Sequence, residues 1–318
     1  MNFDLDEQQR DFAASIDAAM SAGDLPAAVR AWARGDTAPG RKVWATLADL
    51  GVTALAVPGR FGGLQAHPVD LVVALERLGR WCVPGPVAES VAVAPVLLAD
   101  GDRLEALASG DLIATVAMPP TMPRALDAEA AGLTLLARDG AVADAAPLVQ
   151  HASVDPSRRL YDVTPSGDAK PADLARAYEF GALATAAQLV GAGEALLRTT
   201  VDYAKQRTQF GRPIGSYQAI KHKLADVHIA VELARPLLYG AALSLADGAP
   251  ETARDVGAAK VAAAEAALLS ARTALQTHGA IGFTAEHDLS LWLLRVQALR
   301  SAWGDPAEHR RRVLAALR

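Results

Sequence analysis

Between residues 171 and 317, alanine, leucine and valine recur at three- and four-residue spacings in four long runs, near 171 to 206, 216 to 246, 250 to 280 and 286 to 317. This pattern restricts the fold more than any other feature of the sequence, because a period near 3.6 over some thirty residues suits an amphipathic helix and no strand. Four long helices suggest a bundle over 169–318. Alanine-rich seams let helices approach closely, and such flat apolar faces commonly continue across a subunit interface.

The amino-terminal zone, 1–108, is also expected to be helical. Phe3, Phe12 and Ile16, then Val43, Leu47 and Leu50, then Leu71, Val72, Leu75 and Leu78 follow helical spacing. Pro and Gly break the pattern in GDTAPG, VPGRFGG and VPGP. Residues 109–168 differ: short Val-, Thr- and Leu-rich runs read as strands, and ARDGAV reads as a hairpin turn because Asp-Gly accepts positive φ. The expected architecture is thus mainly α with a small β domain: an N-terminal helical domain, a short middle β domain and a C-terminal four-helix bundle.

Composition removes several functions. At 318 residues and 51% hydrophobic content the chain can bury a large core. A net charge of −5 with both signs mixed argues against nucleic acid or an anionic membrane as partner. Arg310, Arg311 and Arg312 read as a solvated helix end. The single cysteine, Cys82, reads as a buried small apolar residue in a reducing, cytoplasmic setting. The first residues, MNFDLDEQQRDF, do not read as a targeting segment. His222 and His228, six apart, do not share a helix face, and no metal site is expected.

The motifs lie in the last zone. RTQFGRPIGSYQAIKHKLAD (207–226) and LQTHGAIGFTAEHDLSLWLLR (275–295), with the helix–β–helix order, resemble the acyl-CoA dehydrogenase superfamily of flavoproteins. The chain looks most like the short subunit of actinobacterial heteromeric acyl-CoA dehydrogenases, several of which act on steroid side-chain thioesters. The resemblance implies that Arg207, Gln209, Phe210, Gln276 and Gly279 reach across a subunit interface to FAD held by another chain. It also implies an acyl-CoA substrate and an electron-transfer flavoprotein or similar acceptor. The residues suit that role: Arg207 offers a planar fork of donors for a pyrophosphate, Gln209 a donor or acceptor, and Phe210 a flat apolar surface. Glycine at 279 and 282 lets backbone approach a phosphate, although the family's second consecutive glycine is Ala280 here. Taken alone, Arg207 and Phe210 would sooner read as a surface arginine beside a core phenylalanine, and only the extended motif reverses that.

Desaturation of a thioester needs a carboxylate beside Cα. The family's usual base position, inside an aromatic-Glu-Gly triplet, falls on Trp303-Gly304-Asp305, and its alternative position falls near Gly181. Neither holds a glutamate. Asp305 and Glu179 are the nearest catalytic candidates, and Glu286 reads as a helix-start carboxylate. The middle zone also lacks the Thr-Glu-Pro, Gly-Ser and Trp pattern by which family members hold the flavin ring. Three readings stay open: the subunit of an α2β2 enzyme whose larger partner supplies base and ring site, a self-sufficient homo-oligomer with an atypical base, and a flavin-free structural or thioester-binding protein.

Overall fold

Five helices begin at an aspartate that closes the first turn. Asp6, Asp24, Asp100, Asp173 and Asp305 each accept a hydrogen bond from the backbone N–H three residues on, satisfying a donor that the helix itself leaves free. The computed structural model describes residues 3–317, the side chain of Phe283 aside. The amino-terminal zone holds α1 (Glu7–Ser21), α2 (Leu25–Ala33), α3 (Ala38–Asp49), α4 (Pro68–Arg80), α5 (Ala94–Leu97) and α6 (Gly101–Ser109).

A small sheet follows, with β1 (Ala114–Ala117), β2 (Ala125–Leu126), β3 (Leu133–Arg138), β4 (Ala141–His151), β5 (Leu160–Pro165) and β6 (Lys170–Pro171). Its order is β1-β3-β4-β5-β2, with β6 on β4, and all pairs but β1–β3 are antiparallel. Asp139 and Gly140, both at positive φ, make the two-residue turn between β3 and β4 that the Asp-Gly pair favours. The carboxy-terminal zone contains α7 (Leu174–Gln206), a short hairpin of β7 (Thr208–Gln209) and β8 (Arg212–Pro213), then α8 (Gln218–Asp247), α9 (Thr252–His278), α10 (Leu289–Ser301) and α11 (Pro306–Ala316).

The expected bundle is present, with its fourth run divided in two. Trp303 and Gly304 take φ of +55° and +93°, Asp305 caps the next helix, and Pro306 stands at its first position, where a missing N–H costs nothing. Arg312 is not a solvated helix end: it turns inward, pairs with Glu179 of α7, and lies 4.8 Å from the Tyr178 ring centre.

One core runs through the helical zones, from Ile16, Trp44 and Leu75 to Leu183, Val231 and Ala263. Most of α7 is buried in it. The contact between α4 and α7 is backbone on backbone. A Cβ on Gly79 would lie 2.1 Å from the Gln188 carbonyl oxygen, and one on Gly191 would lie 1.9 Å from the Glu76 carbonyl oxygen. Arg235 of α8 fastens the crossing through Glu76 (2.9 Å) and Glu194 (2.6 Å). α7 and α8 each have the length and apolar composition of a membrane span, but α7 uses its apolar surface inside the core, whereas α8 turns Ile229, Leu233 and Leu237 outward.

A methyl group at the crossing should therefore be costly. Gly191→Ala is expected to destabilise the chain by about 1–3 kcal/mol through overpacking, read as a lower midpoint in thermal unfolding. Gly240→Ala on α8, where the added Cβ would meet only Phe3 at 3.9 Å, is expected to leave the midpoint unchanged or raise it.

Candidate cofactor grip and the closed base position

Arg207 is the residue at which α7 stops. Its N–H still bonds the Tyr203 carbonyl (2.8 Å), but its ψ of 118° turns the chain out into the β7–β8 hairpin. Gln209 pairs with Arg212 across the turn, and Phe210 and Gly211 both take positive φ, +51° and +79°. A left-handed phenylalanine is sterically unfavourable and persists only where its surroundings fix it. Here the hairpin is stiffened from its far side. Ile214 N–H bonds the Arg207 carbonyl (2.8 Å), the Arg212 guanidinium stacks 4.0 Å over the Tyr217 ring, and the Tyr217 hydroxyl donates to the Gln209 carbonyl (3.3 Å).

Those contacts leave the candidate side chains free. Phe210 is 93% exposed, so it is no core phenylalanine. Among the described residues the side chains of Arg207 and Gln209 have no hydrogen-bond or ion-pair partner.

Gln276 and Gly279 lie at the end of α9. Gln276 is exposed, and its Oε1 accepts a hydrogen bond from Lys223 of α8, which leaves the amide Nε2 free to donate outward. Gly279 has φ +67° and ψ −141°, a conformation that favours glycine, although a Cβ there would meet nothing within 4 Å. Ala280 is exposed with an ordinary φ, so its methyl strains nothing. Gly282 is tight, its would-be Cβ 3.1 Å from His278 Cβ. Glu286 does not start the next helix: α10 begins at Leu289, whose N–H donates to His287 Nδ1 at 3.1 Å.

Both base positions are closed by packing. A Cβ on Gly304 would stand 2.5 Å from the His309 Nε2 and 2.5 Å from the Tyr178 hydroxyl. At Gly181 it would stand 2.3 Å from the Trp303 indole. Trp303 is fully buried, and three contacts hold it: its indole N–H donates to Glu89 Oε1 (3.0 Å), its backbone N–H to Met122 Sδ (3.0 Å), and its carbonyl accepts from His309 Nε2 (2.8 Å). Lys260, buried on α9, donates to the carbonyls of Leu299 (3.0 Å), Arg300 (3.2 Å) and Gly304 (3.3 Å) and so fastens the same turn.

The nearby carboxylates are committed elsewhere. Asp305 faces solvent and caps α11, accepting from Glu308 N–H at 2.7 Å; that backbone bond holds its pKa below the ordinary carboxylate value. Glu179 is pushed up by burial against the opposing pull of Arg312, its ion-pair partner. Glu89, which sequence reading passes over, is fully buried; its Oε1 accepts the indole N–H, and its Oε2 has no partner. β1 is buried along its whole length, and its Thr115 hydroxyl has no partner. That strand therefore presents no open row of polar groups.

Burial also depresses the His309 pKa to about 4, which fits its role as a neutral donor through Nε2 and acceptor from Arg312 through Nδ1 (3.4 Å). The unfolded chain protonates its histidine first, so this contribution to stability is complete above about pH 6.5 and is lost as pH falls toward 4. Thermal midpoints measured from pH 7 to 4 are expected to decline in wild type and to decline less steeply in His309→Gln.

The motif pattern and the fold have counterparts among known proteins. Residues 6–103 match the model of the acyl-CoA dehydrogenase N-terminal domain, and residues 174–317 that of the C-terminal domain. The chain is 33% identical over 305 residues to acyl-CoA dehydrogenase IpdE2 of Mycobacterium tuberculosis, covering 91% of this chain and 90% of the relative. It is also 33% identical over 299 residues to acyl-CoA dehydrogenase FadE34 of the same organism, covering 86% of this chain but 42% of FadE34. In structure it resembles a chain of the ChsE4-ChsE5 complex from Mycobacterium tuberculosis with a TM-score of 0.85 at 25% identity, covering 100% of this chain and 99% of that one. A Tcur3481-Tcur3483 steroid ACAD variant shares the fold with a TM-score of 0.85 at 22% identity, covering 98% of each chain.

Proposed function

The chain belongs to the acyl-CoA dehydrogenase family, and we propose that within it the chain acts as the smaller, non-catalytic subunit of an α2β2 enzyme that desaturates an acyl-CoA thioester. One observation carries this reading. The exposed grip and the closed base position lie at opposite ends of α7, with Gly181 near its start and Arg207 just past its end. At 1.5 Å per helical residue they are about 40 Å apart. At that distance the grip serves a centre other than one at the Gly181 end of its own chain, and because both base positions of this chain are filled by packing, that centre is assigned to an unlike partner.

Arg207 would hold the FAD pyrophosphate with parallel charge-assisted hydrogen bonds, Gln209 and the free Nε2 of Gln276 would donate to phosphate or ribose oxygens, and Phe210 would pack flat against the cofactor. Gly279 would let backbone come close. FAD, when bound, supplies the acceptor for the hydride leaving Cβ. The larger partner would supply the flavin-ring site, the acyl pocket and the carboxylate that removes the α-proton. By family analogy, an electron-transfer flavoprotein would reoxidise the assembly.

Further support comes from the surface and from the relatives. α8 starts where the hairpin ends and exposes Ile229, Leu233 and Leu237 at four-residue spacing, an apolar stripe of the kind a partner covers. More than half of FadE34 lies outside its match to this chain, room for a second unit in one polypeptide. The ChsE4-ChsE5 structure is a complex of two named chains, and the Tcur3481-Tcur3483 protein is called a steroid enzyme, which makes a steroid-derived acyl-CoA the substrate class to try first. The self-sufficient reading needs a base, and both family positions are filled by Trp303, Tyr178 and His309.

Purified alone, the chain is expected to be colourless and inert toward acyl-CoA. Co-expressed with its larger partner, it should give a yellow complex with one flavin per pair of unlike chains. Arg207→Ala in that complex is expected to weaken flavin binding at least tenfold, because a hydrogen bond to a charged group contributes roughly 1.5–3 kcal/mol. Stoichiometric flavin and turnover in the isolated chain would refute the subunit reading.

A further inference from the structure

The two parts of the proposed grip come from different helix ends, yet among the described residues Arg207 and Gln209 make no hydrogen bond with Gln276. What sets their mutual position is a row of three rings behind them. Tyr203, one turn before Arg207, stacks on His278 with ring centres 4.2 Å apart and planes inclined by 22°. His278 is the last residue of α9, between Gln276 and Gly279. The ring of His287 meets it edge-on at 5.3 Å and 70°, and the same His287 accepts through Nδ1 from the N–H of Leu289, where α10 begins. The row therefore joins the end of α7, the end of α9 and the start of α10.

The protonation state of the middle ring matters to this arrangement. His278 is 5% exposed, and its Nδ1 bonds the Ala274 carbonyl at 2.9 Å, so Nδ1 is the donor and Nε2 carries a lone pair. That Nε2 is buried and has no partner. A proton there would place a charged N–H against no acceptor, beside a second imidazole. The charged groups around the row do not compensate. Lys223 of α8 reaches it only through Gln276, Asp202 of α7 lies 4.0 Å from Lys205, and Arg30 of α2 is paired with Asp288 at 2.6 Å. Among the described residues no carboxylate contacts either imidazole, and burial, with His287 adding to it, holds the His278 pKa below its ordinary value.

We propose that the Tyr203–His278–His287 row is the positioning device of the cofactor grip, holding the Gln276–Gly279 loop against the Arg207 hairpin while His278 is neutral and letting the two part in acid. The inference rests on the reading that these loops take hold of FAD. Tyr203 and His278 are positioning residues and do not themselves contact the cofactor. Their effect is on the spacing between Arg207 and Gln276, so losing the row weakens the grip without removing any of its donors.

The test follows flavin retained by the assembled enzyme after gel filtration between pH 7.5 and about 5, in wild type, His278→Phe, Tyr203→Ala and Arg207→Ala. Wild type is expected to release flavin as pH falls below the ordinary histidine value. His278→Phe, which keeps a flat ring but cannot titrate, should retain it throughout. Tyr203→Ala should bind flavin about tenfold more weakly even at pH 7.5, the size of loss expected when an aromatic pair is removed. If His278→Phe fails to assemble, His278→Asn, which keeps a donor for Ala274, serves the same comparison. Identical pH profiles in wild type and the His278 variant, with Arg207→Ala depleted of flavin, would overturn the positioning role and leave the subunit reading intact. Full flavin in Arg207→Ala would instead defeat the reading beneath it. Hydrogen exchange of residues 276–289 in the isolated chain then decides the row by itself: faster exchange in acid than chemistry alone gives, absent from His278→Phe, supports it, and equal behaviour of the two chains overturns it.

Discussion

The buried Trp303 indole, with Tyr178 and His309 beside it, closes Gly181 and Gly304, the two positions at which the sequence pattern would put a base, and much else in the molecule depends on that. It lies against Gly181 so closely that no side chain can be added there, and the turn it belongs to presses Gly304 against Tyr178 and His309. The indole is not loose filler. Glu89 takes its N–H, Met122 and His309 hold its backbone, and Lys260 draws three carbonyls of the same turn onto α9. Interiors are packed to crystal-like density, so opening a substrate channel here would require several of these groups to move together.

The closed interior contrasts with the outward end of α7. At one end of that helix polar groups are buried around an indole, and at the other a strained phenylalanine and an unpaired arginine stand in solvent. An exposed aromatic in a left-handed conformation is unfavourable twice over, in sterics and in hydration. The Arg212–Tyr217 stack and the Ile214–Arg207 bond that hold it there are what distinguishes a preformed contact surface from a mobile loop. Glycine contacts between α4 and α7 and the Glu76–Arg235–Glu194 network keep the helix rigid between the two ends.

Much of the frame was legible in the sequence because it is written in local terms. The three-to-four spacing of Leu71, Val72, Leu75 and Leu78 and the Asp139-Gly140 pair each act within a few residues, and they yield α4 and the β3–β4 turn. The break between α10 and α11 was missed although Gly304-Asp305-Pro306 announces it, since apolar periodicity runs across the turn. The motif was visible in the sequence, but its exposure was not: composition alone favoured Phe210 in a core, and it stands in solvent. What fills the base positions could not be read, because Gly181 meets Trp303 only after α7 and α10 pack. Glu89, Arg312 and Lys223 were missed for the same reason, as each finds its partner on a distant helix. His278 stood inside a quoted motif, yet its stacking on Tyr203 depends on where α7 and α9 end.

The central claim is that this chain contributes the contacts of a cofactor grip and none of the proton chemistry. Its most direct test is turnover of the assembled enzyme carrying Asp305→Asn and Glu179→Gln, since asparagine still caps α11 and glutamine can still accept from Arg312. The account predicts turnover within about twofold of wild type, whereas loss of a true general base lowers the rate on the order of a hundredfold or more. A loss of that size from either substitution, with flavin content and assembly unchanged, would contradict it.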